Sequence, residues 1–218
     1  KKFFNEYFRY GGFPQALLSK DTLILQQFFQ DILYRDVIAR YAIRNIKEIR
    51  ELAVFLASNI SCSHSYRNIQ KLLNISNQTT VKNYLEALTN VYLFFTVNKF
   101  DFSVKKQIYN PSRIYAVDIA MSNAISVEFS SNKGRKLENL VYIELLRRYG
   151  NQDDIFFWKS KTGKEVDFVI GKEAFEIKFD GRQFKEKKYT EFQSAYPGIS
   201  LRMLDYSGIL AKFYGFGV

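Results

Sequence analysis

The sequence is poor in several features, and each shortage excludes a class of protein. One cysteine among 218 residues excludes a disulfide framework. No apolar run approaches the ~18 residues that a membrane-spanning helix needs, and the longest, residues 91–97, is interrupted by Thr96. No charged start followed by an apolar segment opens the chain, so we expect a cytoplasmic protein without membrane attachment.

Two motifs that mark nucleotide and zinc sites are also missing from the sequence. The phosphate-binding pattern G-x-x-x-x-G-K-[ST] does not occur, since residues 162–165 (TGKE) lack both the upstream glycine and the final hydroxyl. Cys62 and His64, the single histidine, are two residues apart with no further ligand, which is too few for zinc. We therefore expect this chain to bind neither ATP nor zinc.

What the sequence does have is material for a core and an excess of positive charge. Hydrophobic residues make up 47% and aromatic residues 17%, which favours a packed chain over disorder. The net charge is +10, and residues 1–45, 46–110 and 111–218 contribute excesses of three, four and three positive charges. No segment is a basic tail, but the sum favours a polyanion such as DNA as partner. The oligomeric state stays open.

Residues 1–45 are predicted to form a helical lead-in. Gly11-Gly12-Phe13-Pro14 is typical of a turn, with Pro14 at the first position of a following helix. Asp21 is a suitable cap for a long helix that reaches about Tyr41, because apolar residues recur along it at helical spacing.

Residues 46–117 are predicted to form a winged helix. Three helices are followed by two β-like runs, which are separated by polar residues: 46–59, 65–73, 78–90, 93–98 and 113–117. Helix, helix–turn–helix and two strands is the order of a winged-helix domain. Four polar residues of the third helix are candidates for contact with DNA bases: Gln78, Thr79, Lys82 and Asn83. Because only Lys82 is basic there, a purely structural role for this region is the alternative.

Residues 118–218 are predicted to form an α/β domain. Its elements are a helix ended by Gly150, three strands, a helix and a strand: 135–149, 155–159, 165–170, 175–179, 183–195 and 199–204. Alternation in the third strand puts Glu176 and Lys178 on the face opposite its three apolar residues. In the second strand, Asp167 points outward beside Glu165, for which we predict a solvated or ion-paired role.

These two strands are predicted to pair antiparallel through a turn at 171–174. Asp167 then faces Lys178 and lies diagonal to Glu176, so that one face of the hairpin collects two carboxylates and an ammonium. Glu138, early in the preceding helix, is a candidate for a further carboxylate. Magnesium sites typically use one or two carboxylates with substrate phosphate, and a lysine beside the metal can orient the attacking water.

These residues resemble the PD-(D/E)XK fold of restriction-type and Holliday-junction-type nucleases, over about half the chain. The resemblance implies that Asp167 and Glu176 bind Mg²⁺ (or Mn²⁺) and that Lys178 serves the nucleophilic water. It also implies that Glu138 adds a further carboxylate, either bound to the metal or placed beside its ligands. The proline that precedes the aspartate in the family motif is absent, since Val166 stands at that position.

The whole chain resembles the C-terminal half of bacterial and archaeal AAA+-type ATPases, in which a nuclease-like domain follows the ATPase. Besides the winged helix, the motifs that carry this resemblance are, in order, 10–14 (YGGFP), 34–36 (YRD), 134–139 (GRKLEN) and 165–168 (EVDF). The resemblance implies that the ATPase domain of the parent protein, missing here, is a partner of this region.

The expected fold is α/β (α+β), with N-terminal helices and a winged helix followed by a restriction-endonuclease-like PD-(D/E)XK domain. The expected function is Mg²⁺-dependent hydrolysis of phosphodiester bonds in DNA, or that of a degenerate descendant. The alternative is a non-catalytic module, attached to an ATPase, that binds DNA or protein.

Overall fold

A computed structural model describes residues 2–101, 103, 110–126 and 133–214 of the chain. The fold is mixed α/β, which confirms the predicted class, with 56% helix and, in the described part of the chain, seven strands. The chain divides into two compact units, Lys1–Thr96 with Ile114–Ser131 (unit 1) and Val97–Arg113 with Asn132–Val218 (unit 2). In the described part of the chain, no helix has the length and apolar character that crossing a membrane requires.

Unit 1 consists mainly of helices. They are α1 (Lys2–Tyr10), α2 (Pro14–Ser19), α3 (Leu23–Asp31), a π-helical segment (Ile32–Ala39), α4 (Ile46–Ser58), α5 (Tyr66–Leu73), α6 (Gln78–Asn90) and α7 (Ile119–Ile125). The strands are β1 (Ser63–His64), β2 (Phe94–Lys99) and β3 (Ser112–Ala116), ordered β1-β3-β2, and both β2 and β3 have residues in each unit.

The predicted lead-in and most of the predicted winged-helix region both belong to unit 1. The turn before α2 and the helix–turn–helix of α5 and α6 form where the sequence predicts them. Asn77 caps α6 by accepting a hydrogen bond from the Thr80 amide at 2.8 Å. The winged-helix arrangement and the domain boundaries stay predictions, and residues 105–107 between the two β-like runs lie outside the described residues.

The predicted long helix up to Tyr41 changes its winding after Asp31. Ile32–Ala39 is π-helical, and at its end the amide of Ile43 donates to the carbonyl of Ile38. The wider turn buries Leu33 together with both Val37 and Ile38, which the spacing of an α-helix does not place on one line. The spacing of apolar residues in the sequence does not distinguish an α-helix from a π-helix here.

Unit 2 is a mixed sheet with helices. Its further elements in the described residues are α8 (Lys133–Tyr149), β4 (Phe156–Lys159), β5 (Glu165–Ile170), β6 (Glu173–Ile177), three 3₁₀ turns (Gln152–Asp154, Gly181–Gln183 and Glu186–Tyr189), α9 (Thr190–Ala195), β7 (Ser200–Leu204) and α10 (Tyr206–Tyr214). The strand order is β2-β4-β5-β6-β7, with β4–β5 and β5–β6 antiparallel and the outer pairs parallel.

Both faces of the central strands of unit 2 are covered. Along β5, five of the six residues are buried, Asp167 among them. The Tyr142 ring of α8 stacks on Phe168, whereas the Phe192 ring of α9 packs edge-on against Trp158. Strands enclosed in this way hold any charged side chain in a low-dielectric environment, where its interactions are strong.

Candidate functional site

The β5–β6 hairpin brings Asp167 and Glu176 together. The strands pair antiparallel, as predicted, and Phe168 is opposite Phe175. One step further in the same register places Asp167 across from Glu176, and burial together with the charge of Asp167 raises the pKa of Glu176, so the two carboxylates lie close together. The predicted register, in which Asp167 faced Lys178, is wrong by two residues.

The error comes from the length of the turn. Glu173 already pairs with Ile170, so only Gly171 and Lys172 form the loop, and Gly171 adopts the positive φ of 55° that such a tight turn requires. A shift of two residues leaves every side chain on its original face. The separation of the two faces is therefore correct in the middle of β6, but the face predicted to point outward is wrong, because Asp167 and Glu176 are both buried. The strand also ends at Ile177, and the exposed Phe179 is not the inward residue we predicted.

Both carboxylate oxygens of Asp167 are engaged. Oδ2 accepts a hydrogen bond from the amide of Ile177 at 2.9 Å, which fixes the side chain against β6. Oδ1 accepts from Nη1 of Arg113 at 3.1 Å. Since each carboxylate oxygen has two lone pairs, both atoms keep acceptor capacity beyond these bonds.

Glu176 is almost completely buried, and its two oxygens differ. Oε1 is paired with the ammonium of Lys178, and the Lys188 ammonium lies 3.8 Å away from the same oxygen. Oε2 and the Tyr189 hydroxyl are buried, and neither makes a hydrogen bond of normal geometry with the described residues. Burial and the nearby Glu176 nevertheless raise the pKa of Tyr189, so the two groups are close.

Two titratable groups of the site, Glu176 and Lys178, have shifted pKa values. Burial raises the pKa of Glu176, and the facing Asp167 carboxylate raises it further. Burial alone would lower the pKa of Lys178, but the hydrogen bond and charge of Glu176 outweigh it and raise that pKa. Clustered carboxylates with perturbed pKa values are typical of functional sites.

Arg113 joins three carboxylates in the same unit. Its guanidinium donates to Glu138 Oε1 at 2.9 Å, to Asp167 Oδ1 at 3.1 Å and to Glu165 Oε2 at 2.5 Å. Burial alone would raise the pKa of Glu165, but Lys159 and Arg113 outweigh it and lower that pKa. The prediction that Glu165 is ion-paired is confirmed. The predicted link of Glu138 to the site runs through Arg113, which the sequence interpretation did not include.

A divalent ion is compatible with the donor chemistry of Asp167 and Glu176. Two facing carboxylates match what Mg²⁺ takes from proteins, and the buried Glu176 Oε2 is an oxygen with an unmet need for a partner. The described residues contain no group of three or more His, Cys, Asp or Glu side chains set to hold a metal ion.

Replacing Glu176 by glutamine tests the electrostatics of the buried pair. The raised pKa means that the unfolded chain ionises before the folded one, so ionisation of Glu176 costs stability as the pH rises through that interval. The melting temperature of Glu176→Gln minus that of the wild type should therefore increase as the pH rises above the ordinary glutamate pKa of about 4.3, in EDTA. A difference independent of pH contradicts the raised pKa, and Glu173→Gln, on the opposite face of β6, is the control.

The four candidate DNA-contacting residues share one surface of unit 1. All are exposed on α6, whose opposite side buries Val81, Tyr84, Leu85 and Leu88 in the core: Gln78, Thr79, Lys82 and Asn83. The exposure that base contact requires is present, and contact with DNA itself stays a prediction.

Sequence reasoning missed Arg113, Lys188 and Tyr189. Lys188 belongs to the Glu-Lys-Lys stretch that we would assign to a solvated face, yet it approaches Glu176. A local pattern cannot identify Arg113, because its partners are 25 to 54 residues away in the chain. A single arginine before the apolar residues 114–116 is the only trace.

Two family models match the chain. Residues 1–132 match a domain of unknown function, DUF8612, and residues 133–208 match a second one, DUF4143. DUF4143 is often found at the C-terminus of AAA-type ATPases, which agrees with the ATPase part of the predicted resemblance. The winged-helix and nuclease-like parts of that resemblance stay predictions.

Two relatives cover most of the chain. An uncharacterised protein of Methanocaldococcus jannaschii is 35% identical over 212 residues, which is 92% of this chain and 47% of that protein. An uncharacterised protein of Haemophilus influenzae is 29% identical over 178 residues, which is 78% of this chain and 44% of that protein. The chain thus spans about half the length of these relatives. No solved structure matches it significantly.

Proposed function

The chain belongs to the DUF8612 family of unknown function, and we propose that its second unit is a divalent-metal-dependent phosphodiesterase that acts on DNA. The observation that carries the proposal is the pair of facing carboxylates, Asp167 and Glu176, with Lys178 bonded to one of them. The arrangement agrees with the roles that the PD-(D/E)XK resemblance implies for these residues. The positive net charge of +10 favours a polyanionic substrate.

Each residue has a definite task in this proposal. Asp167 and Glu176 would hold Mg²⁺ or Mn²⁺, and bound metal supplies Lewis-acid activation of the phosphate. Lys178, partly exposed beside Glu176, orients the attacking water and offsets charge that develops on the phosphate. The Ile177 amide and Arg113 keep Asp167 aimed at the facing strand. Glu138 acts through Arg113 and so positions the site from outside it.

A second candidate function is non-catalytic binding, and Arg113 favours it. Together with Lys159 and Lys178, the guanidinium gives each of the four carboxylates a positive partner without any metal. A site that is balanced in this way can persist as a purely structural network. The unit would then serve DNA or protein recruitment only.

A cleavage screen separates the two candidates. The chain is incubated with Mn²⁺ and single-stranded, double-stranded, flapped and branched DNA, and the Lys178→Ala variant is run in parallel. Cleavage by the wild type that requires the ion and is lost in the variant supports the phosphodiesterase. DNA binding without cleavage of any substrate supports the recruitment module.

We expect α6 to carry the DNA contacts of unit 1. Lys82→Ala should weaken binding across sequences and reduce the slope of log affinity against log salt by about one unit, because one phosphate contact is lost. Lys47→Ala, an exposed lysine on α4 that pairs with Glu51, is the control and should leave the slope unchanged. An unchanged slope in Lys82→Ala with intact binding assigns the contacts elsewhere.

The proposed setting is an ATPase in the cytoplasm. The DUF4143 match and the coverage of about half of each relative support a parent protein in which an ATPase domain lies beside this region. Nucleotide-driven motion of that domain would then move DNA past, or onto, the carboxylate site.

A further inference from the structure

Arg113 occupies an unusual place for an arginine. Only 4% of its side chain is exposed, and its guanidinium carbon lies 4.9 Å from the centre of the Phe157 ring, which holds it from one side. The remaining directions are taken by carboxylates, with the shortest contact, 2.5 Å, to Glu165. The guanidinium is therefore fixed in position by both packing and charge.

One nitrogen of Arg113 bridges two of the carboxylates. Nη1 is 2.9 Å from Glu138 Oε1 and 3.1 Å from Asp167 Oδ1. Asp167 in turn faces Glu176 on the neighbouring strand. Asp167 thus lies between the Arg113 guanidinium and the proposed ion position beside Glu176. In sites with two metals about 3.5–4 Å apart, a carboxylate lies between the two ions in the same way.

We propose that Arg113 is a tethered cation that takes the place of a second divalent ion, so that the site holds one metal ion. The proposal rests on the proposed function for the first ion, which Asp167 and Glu176 would hold. The role of Arg113 itself is inferred from the contacts of its guanidinium. In chemical terms, the fixed positive charge of the Arg113 guanidinium replaces the charge of a second metal ion, which could dissociate.

The buried Oε2 of Glu176 distinguishes the proposed ion position from the position that the Arg113 guanidinium occupies. Glu176 is 1% exposed, and its Oε2 has no hydrogen-bond partner among the described residues, so one position offers an unsatisfied ligand. Glu138 and Glu165, by contrast, each place an oxygen on the guanidinium. An added ion beside Glu176 can therefore bind the Oε2 atom. An added ion beside Glu138 must first displace the Arg113 guanidinium.

Removing the charge of Arg113 should convert its position into an ion site. Arg113→Gln leaves Glu138 and Asp167, whose oxygens share Nη1, without their common positive partner, and their mutual repulsion destabilises the folded chain. A divalent ion is the ligand that relieves this repulsion. The variant should therefore gain affinity for Mn²⁺ even where no DNA is present.

The experiment uses thermal melting and Mn²⁺ binding by electron paramagnetic resonance. In EDTA, Arg113→Gln should melt roughly 10 °C below the wild type. Saturating Mn²⁺ should restore about half of that loss and raise the number of bound ions from one per chain to two. Arg113→Lys, which keeps the charge but not the fork, should respond less to the ion than Arg113→Gln.

Arg182→Gln is the matched control. Arg182 lies in the same unit but is 91% exposed and pairs only with Asp180 in the described structure, so its loss should change neither melting nor ion number. Arg113→Gln that melts low without an added response to Mn²⁺ overturns the proposal and leaves Arg113 as a structural ion pair.

Two further outcomes separate this inference from the proposed function. If the wild type binds no Mn²⁺ but Arg113→Gln binds one ion, the metal role of Asp167 and Glu176 fails while the tethered-cation role of Arg113 is supported. If Arg113→Gln does not fold even when refolded with Mn²⁺, Arg113→Lys decides: because it keeps the charge, it should bind no more Mn²⁺ than Arg182→Gln, and a second bound ion in it counts against the proposal.

Discussion

Asp167→Ala, Glu176→Ala and Lys178→Ala are each expected to lower the rate of DNA cleavage by about 10² to 10⁴. The first two changes each remove one of the two proposed ligands of the ion, and the third removes the group proposed to orient the attacking water. The rates are measured as single-turnover cleavage of the best substrate at saturating Mn²⁺, so that weaker DNA binding does not contribute. Glu173→Gln, a carboxylate on the opposite face of β6, should leave the rate unchanged.

Glu138→Ala provides a graded comparison. Because Glu138 shares Nη1 of Arg113 with Asp167, its loss should cost about 10- to 100-fold, the usual effect of a residue that supports a ligand. A loss as large as that of Asp167→Ala would place Glu138 at the metal. Cleavage that persists at full rate in Asp167→Ala would point to a contaminating nuclease or to another site.

The faces of the hairpin could be predicted from the sequence, but its register could not. Alternation separates Glu176 from its apolar neighbours Phe175 and Ile177, and this holds in the structure. Turns of two and of four residues satisfy the same alternation, since they differ by two positions. Gly171-Lys172 lacks the Asn-Gly or Asp-Gly pair that identifies a two-residue turn, so the sequence offers nothing to choose between them.

The charge environment of the site was beyond the reach of sequence patterns. Alternation predicts which residues share a strand face, but Arg113 enters from a different strand, 54 residues before Asp167. Its burial depends on a ring, Phe157, and on three carboxylates that no local pattern connects. The sequence therefore predicts the ligands of the proposed ion, whereas the cation that compensates the neighbouring carboxylates emerges only from the tertiary structure.

Gly11→Ala is expected to destabilise unit 1 by about 3 kcal/mol, the sum of a strained backbone and a disrupted helix cap. Gly11 has a φ of 77°, a conformation that alanine adopts only at a cost. A methyl group there would lie 2.3 Å from Asp118 Oδ1, far inside van der Waals contact. Asp118 cannot move freely, because it caps α7 through the Met121 amide at 2.8 Å and accepts from the Gly12 amide at 2.6 Å.

The decrease in melting temperature, followed by circular dichroism, should be roughly 6–12 °C for a chain of this size. Gly134→Ala is the control: an added methyl group meets no atom within 4 Å there, and alanine favours the helix α8, so the melting temperature should stay the same or rise slightly.

Asp118→Ala distinguishes the cost of the backbone strain from the cost of the disrupted helix cap. It already removes the cap and the clashing carboxylate, so adding Gly11→Ala to it should cost only the backbone strain, about 1–2 kcal/mol. If the loss of unfolding free energy in the double variant equals the sum of the two single losses, Gly11 and Asp118 do not interact. The whole cost of Gly11→Ala would then come from the backbone conformation of the YGGFP turn.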